Sequence, residues 1–143
     1  MSAQGPLRDG LPDFHLIETM RWEPATGLLR RERHMARLAR SAKALGFRFD
    51  RDSADSAMAA TAIGGHALRV RLALMPDGKP SVTTHLFSPL ADRACWTLRI
   101  AKGRLSSADP LLRHKTSRRN AYESARQEYT PAEADEVLLL NER

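Results

Sequence analysis

Across residues 66–75 the chain alternates strictly. Leu68, Val70, Leu72 and Leu74 are apolar, and Arg69 and Arg71 stand between them. A period of two sends successive side chains to opposite faces of an extended strand, so one face is buried and the other meets polar surroundings. Pro76-Asp77-Gly78-Lys79 supplies the chemistry of a reversing turn, and residues 81–87 return as a second extended run. A hairpin with one apolar face is not stable alone and must be covered by another layer. That requirement constrains the fold more than any other stretch does.

The cover is legible upstream. Met35, Leu38, Ala42 and Leu45 recur at helical spacing, and Gly46 follows where a left-handed cap is wanted. The spacing predicts a helix over residues 31–45. Arg33, Arg37 and Arg40 form a second, basic stripe on it. Such stripes are ordinarily solvated faces, but Arg37 precedes core residue Leu38 and belongs at the boundary of the buried face. Residues 14–22 alternate loosely and read as a strand, followed by a turn at Glu23-Pro24-Ala25-Thr26-Gly27. A weaker helix is predicted over 50–63, capped by Asp52 or Ser53 and ended by Gly64-Gly65. The expected fold class is therefore α/β, in the sense of a small α+β domain with an antiparallel sheet and two helices.

The remainder is less regular. Residues 96–101 read as a further extended run, 103–109 as a polar connector and 117–128 as a helix. Thr130 followed by Pro131 has the pattern of a helix start. Val137-Leu138-Leu139-Leu140 is fully apolar, the kind of strand buried on both faces. With Arg143 following so closely, this strand is expected to lack neighbours and to leave apolar surface exposed.

Composition narrows the partners. A net charge of +6, from 23 basic and 17 acidic residues, suits phosphates or carboxylates. With 6% aromatic residues and no basic, aromatic-laced signature, no nucleic-acid partner is expected. Cys95 is the one cysteine, so no disulfide forms within the chain, and it reads as a buried strand residue. No apolar run reaches membrane-spanning length and the N-terminus lacks a signal-peptide layout, so a cytoplasmic location and no membrane partner are expected. No metal site is expected.

One stretch carries chemistry of its own. Lys115 lies among Arg113, Arg118 and Arg119, beside Thr116 and Ser117. Neighbouring cations disfavour the ammonium form, and a lysine so destabilised is a usable nucleophile. The same cluster reads equally as a phosphate-attracting patch or as a solvated basic turn.

Three stretches together resemble the class IV aminotransferases, the fold-type IV pyridoxal-phosphate enzymes. They are Phe14-His15-Leu16-Ile17-Glu18-Thr19-Met20 with Gly27-Leu28-Leu29; the His34-x-x-Arg37-Leu38 pattern followed by Ser41-Ala42; and His114-Lys115-Thr116 through Tyr122 with residues 135–141. The subgroup they are most similar to is aminodeoxychorismate lyase. The resemblance implies pyridoxal 5′-phosphate as cofactor in an intact member, an amino-acid-like substrate and a homodimer. It implies Lys115 as the residue that joins the cofactor covalently and moves protons, and Arg37 as the phosphate receptor. Arg69 is where some members place a substrate-carboxylate arginine, and Tyr122 is a candidate for approach to the cofactor. It implies an irregular lead-in over 1–13, an N-terminal domain over 14–104 and the first elements of a cofactor domain over 105–143. The glycine-rich turn and the glutamate that family members place further along are not in these residues. The sequence therefore reads as an incomplete member, expected to bind the cofactor weakly or not at all. The function this implies for the whole protein is pyruvate elimination from 4-amino-4-deoxychorismate, giving 4-aminobenzoate for folate synthesis. The alternatives are a branched-chain or D-amino acid aminotransferase, or a non-catalytic binding module.

Overall fold

The structure is a computed structural model that describes residues 11–143. Most of the stretch read as an irregular lead-in therefore lies outside the described residues. The chain forms two units. The first comprises residues 11–88 together with Lys115–Ser117; the second comprises residues 89–114 and 118–143.

In the first unit, strand β1 (Leu16–Glu23) and the short β2 (Gly27–Leu28) precede helices α1 (Arg31–Leu45) and α2 (Arg51–Thr61). Strands β3 (Leu68–Leu74) and β4 (Pro80–Leu86) follow as the expected hairpin. The sheet order is β2-β1-β3-β4, antiparallel throughout. The hairpin closes on Gly78, whose φ of 93° is available to glycine at no steric cost, and the Asp77 carboxylate accepts the Lys79 N–H at 3.0 Å.

The even-numbered strand residues make one face. Leu16 and Met20 of β1 and Val70, Leu72 and Leu74 of β3 are buried against Met35, Leu38 and Ala42 of α1 and Ala54 and Met58 of α2. The helical spacing and the strand alternation thus meet in a single core. Gly46 caps α1 at φ 72°, its N–H bonded to the Ala42 carbonyl. The cap of α2 is Asp50, whose carboxylate accepts from the N–H groups of Asp52 and Ser53. The two residues expected as caps are instead the first-turn donors that the cap satisfies.

The second unit contains β5 (Leu98–Leu105), a 3-10 turn (Pro110–Arg113), α3 (Asn120–Arg126) and β6 (Glu136–Asn141). Strands β5 and β6 pair in parallel, and α3 packs against both, with Ala101 and Ala125 buried. Thr130-Pro131 opens only a turn, in which the Glu133 carboxylate accepts from both the N–H and the hydroxyl of Thr130. Strand β6 is not buried on both faces. Leu138 and Leu140 are 46% and 44% exposed, and among the described residues β6 has a strand neighbour, β5, at only one of its edges. Cys95 is exposed, in irregular chain before β5. Among the described residues no helix is long and apolar enough to cross a membrane.

Candidate functional site

Strand β1 carries the site because its two faces receive different chemistry. Glu18 falls in the even-numbered, helix-facing row with Leu16 and Met20, and is 1% exposed. A carboxylate there needs partners, since desolvating an unpaired charge is costly. Helix α1 provides them from residues three apart, which share a helix face. The Nδ1 atom of His34 lies 2.8 Å from the Glu18 carboxylate. Arg37 donates to it from Nε at 2.7 Å and from Nη2 at 2.5 Å. This side-on pairing holds the Arg37 guanidinium above its usual range, chiefly through the hydrogen bond to Glu18. A guanidinium has five N–H groups, so three of Arg37 remain for another acceptor. Its side chain is 43% exposed, so they are accessible.

Thr19 faces the opposite way, and Lys115 meets it there. The Lys115–Ser117 segment is sewn onto the edge of β1. The N–H of Ile17 donates to the Lys115 carbonyl and that of Ser117 to the His15 carbonyl, both at 2.9 Å. The His15 N–H donates to the Ser117 hydroxyl at 3.1 Å, and Leu16 and Thr116 form a bridge. With its backbone fixed in this way, Lys115 extends along β1 and its Nζ donates to Thr19 Oγ1 at 3.4 Å.

Arg71 is the cross-strand partner of Thr19 on β3 and shares that face. Its Nη2 lies 3.4 Å from His15 Nε2. The His15 imidazole is held below its usual range, first by burial and then by the Arg71 charge. A neutral imidazole nitrogen can accept from Arg71, whereas a protonated one would repel it. His15, Thr19, Arg71 and Lys115 thus form one polar cluster on the sheet face away from the helices.

The edge of β1 is also divided. The Lys115–Ser117 segment covers it at residues 15–17, while β2 and the Leu29 N–H cover it at residues 21–23. Among the described residues no strand covers the edge at Thr19. Lys115 and Arg37 therefore reach successive residues of β1 from its two faces, beside an open stretch of edge.

The other two candidates belong to other elements. Arg69 is exposed one row further along the same face, between Arg21 and His85. Tyr122 belongs to α3 in the second unit and is 39% exposed, with the Arg119 guanidinium 5.7 Å from its ring centre. The cations flanking Lys115 in sequence, Arg113, Arg118 and Arg119, also belong to the second unit. Sequence reasoning gave no role to Glu18, Thr19, Arg71 or His15. Glu18 had a signal: it is a charge at a position where the Leu16 and Met20 periodicity calls for an apolar side chain.

Comparison with known proteins identifies the relatives of this chain. The family model for class IV amino-transferases matches residues 15–143. A solved structure of a provisionally assigned amino-acid aminotransferase from Mesorhizobium loti is 49% identical, with a TM-score of 0.88, over 92% of this chain and 64% of its own. A provisionally assigned 4-amino-4-deoxychorismate lyase is 28% identical, with a TM-score of 0.77, over 96% of this chain and 60% of its own. A further protein with that assignment, from Legionella pneumophila, shares the fold at 18% identity, with a TM-score of 0.67 over 90% of this chain and 53% of its own. The chain thus spans less than two thirds of the length of each. No curated protein matches it. The family match covers all but the first few described residues, and with the Mesorhizobium likeness it shows that the chain belongs to the class IV amino-transferase family.

Proposed function

We propose that this chain is the lysine-bearing part of a pyridoxal-phosphate enzyme, and that the whole protein acts as a 4-amino-4-deoxychorismate lyase. The observation that carries the reading is the convergence of Lys115 and Arg37 on Thr19 and Glu18 at the open edge of β1. The donor set fits the cofactor: an amine held at a sheet edge for its aldehyde, and a guanidinium with unused N–H groups for its phosphate. When bound, pyridoxal phosphate supplies an electron sink for charge developing at the substrate carbon that bears the amine.

The residues of the chain divide the remaining work. Arg37 anchors phosphate through the guanidinium edge that Glu18 leaves unused. Lys115 would hold the cofactor covalently, and its amine, when free, would take the proton from the amine-bearing carbon. The Thr19 hydroxyl, which accepts from Lys115 Nζ, keeps the amine directed along β1. Arg71 is half-buried beside Thr19, and its side chain meets the His15 ring rather than a carboxylate. A substrate carboxylate is the natural complement of that guanidinium. In the elimination, one C–H bond and the ether C–O bond break. The departing enolpyruvate takes up a proton to leave as pyruvate, and the ring becomes aromatic. A second copy of the chain is the partner this reading expects, as is usual in the family.

A second reading is favoured by one finding: the 49% identical Mesorhizobium protein is assigned as an aminotransferase. In that case Lys115 would move the proton taken from the amine-bearing carbon, and no carbon–oxygen bond would break. Supplying the protein with 4-amino-4-deoxychorismate, and separately with an amino acid plus a 2-oxo acid, distinguishes the two. Pyruvate and 4-aminobenzoate formed in equal amounts support the lyase. Exchange of amine between amino acid and oxo acid, without pyruvate from the first substrate, supports the transferase.

A further inference from the structure

The fold does not account for Glu18. Its row of the sheet is otherwise apolar, with Leu16 and Met20 buried beside it and Met35 and Leu38 packed from α1. A hydrophobic side chain at that position would complete the core with no charge to desolvate. Replacing a whole buried ion pair by apolar residues is often neutral or stabilising, so such a pair is not needed for stability. The carboxylate is nonetheless nearly inaccessible and fully engaged, by His34 on one oxygen and by Arg37 on both. Its partners are not buried to the same degree: the His34 and Arg37 side chains are 22% and 43% exposed. The arrangement has a direction. A buried anion grips the inner edge of a guanidinium whose outer edge faces out of the core.

We propose that Glu18, braced by His34, is a positioning residue that fixes Arg37 so that its outer N–H groups meet a phosphate. The inference rests on Arg37 as the phosphate receptor. An arginine side chain is long and loses considerable rotamer freedom when it binds. Gripping Nε and one Nη2 hydrogen in advance removes most of that loss before the ligand arrives, which raises affinity through preorganisation. The carboxylate also completes a chain of alternating charge, so the guanidinium is not left facing an anion alone. The His34-x-x-Arg37 spacing acquires a physical meaning here, because it is the spacing at which two donors on one helix face reach a single carboxylate from β1.

The test uses the 15N-labelled chain with wild-type, Glu18→Met and Glu18→Gln sequences, titrated by NMR with pyridoxal phosphate and with pyridoxal, which lacks the phosphate. Millimolar titrations read weak binding. In the wild type the phosphate form binds more tightly, and the Arg37 Nε–H signal persists through the titration. Glu18→Met loses that preference by at least about tenfold, in the range seen when an orienting partner of a ligand-binding group is removed. Its affinity for pyridoxal stays the same, while its melting temperature falls, because His34 and Arg37 lose their acceptor. Glu18→Gln keeps one acceptor and falls between the two. A purely structural role gives a different pattern: melting temperature and affinity for both ligands fall together. That result overturns the inference, as does an undiminished phosphate preference in both variants. A wild-type chain that binds pyridoxal as tightly as pyridoxal phosphate overturns the reading of Arg37 and this inference with it. If the wild type prefers the phosphate and the variants keep that preference, only the role of Glu18 falls.

Discussion

At the scale of single residues, the chemistry of the site is set by what each side chain finds on its own face of β1. Glu18 turns inward and finds His34 and Arg37; Thr19 turns outward and finds Lys115 and Arg71. Arg37→Ala is expected to weaken pyridoxal phosphate binding while Lys115 still reacts at high cofactor concentration, because in the proposed roles one group holds a phosphate and the other forms a covalent bond. Equilibrium titration of each variant checks this. His15 gives a prediction in pH. Its folded pKa lies below the ordinary value, through burial and then Arg71, so the unfolded chain binds the proton more readily. The associated stability is present above about pH 6.5 and is lost as the pH falls below that value. Melting temperatures measured downward from neutral pH should decline through this region, and His15→Gln should flatten the decline. The sequence showed Lys115 and Arg37 because both fall in motifs. It hid Thr19, Arg71 and His15, because their pairing depends on strand register, and register is a property of two segments rather than one.

At the scale of elements, the periodic segments were the most readable. The stripe Met35, Leu38, Ala42 and the row Leu68 to Leu74 each predict a buried face, and the two faces meet. Leu38→Ala is expected to cost about 2–5 kcal/mol, as for other fully buried leucines, with chemical denaturation as the measurement. Asp50→Ala, which removes the α2 cap, is expected to cost about 1 kcal/mol by the same measurement. If Asp52→Ala costs more than Asp50→Ala, the cap assignment is wrong. The apolar run at residues 137–140 was legible as a strand, and its exposed leucines follow from the missing neighbours that the sequence also suggested. The Lys115–Ser117 segment was unreadable as a sheet-edge partner. Three polar residues carry no strand periodicity, and only the hydrogen bonds to His15 and Ile17 define their role.

At the scale of the whole molecule, the chain belongs to the class IV amino-transferase family and spans less than two thirds of the solved relatives described above. Its first unit joins segments distant in sequence: the Lys115–Ser117 segment lies on a strand that begins at Leu16. The resemblance pointed to the family. The fold then showed why these three stretches belong together, since each contributes to the surroundings of Glu18 and Thr19. The central claim is that Lys115 is the covalent partner of pyridoxal phosphate, and borohydride reduction after incubation with the cofactor tests it directly. The chain has four lysines, at positions 43, 79, 102 and 115, so peptide mapping resolves the answer completely. The account predicts the phosphopyridoxyl group on Lys115, and its loss in Lys115→Ala. Labelling concentrated on Lys43, Lys79 or Lys102, and undiminished in Lys115→Ala, would contradict it.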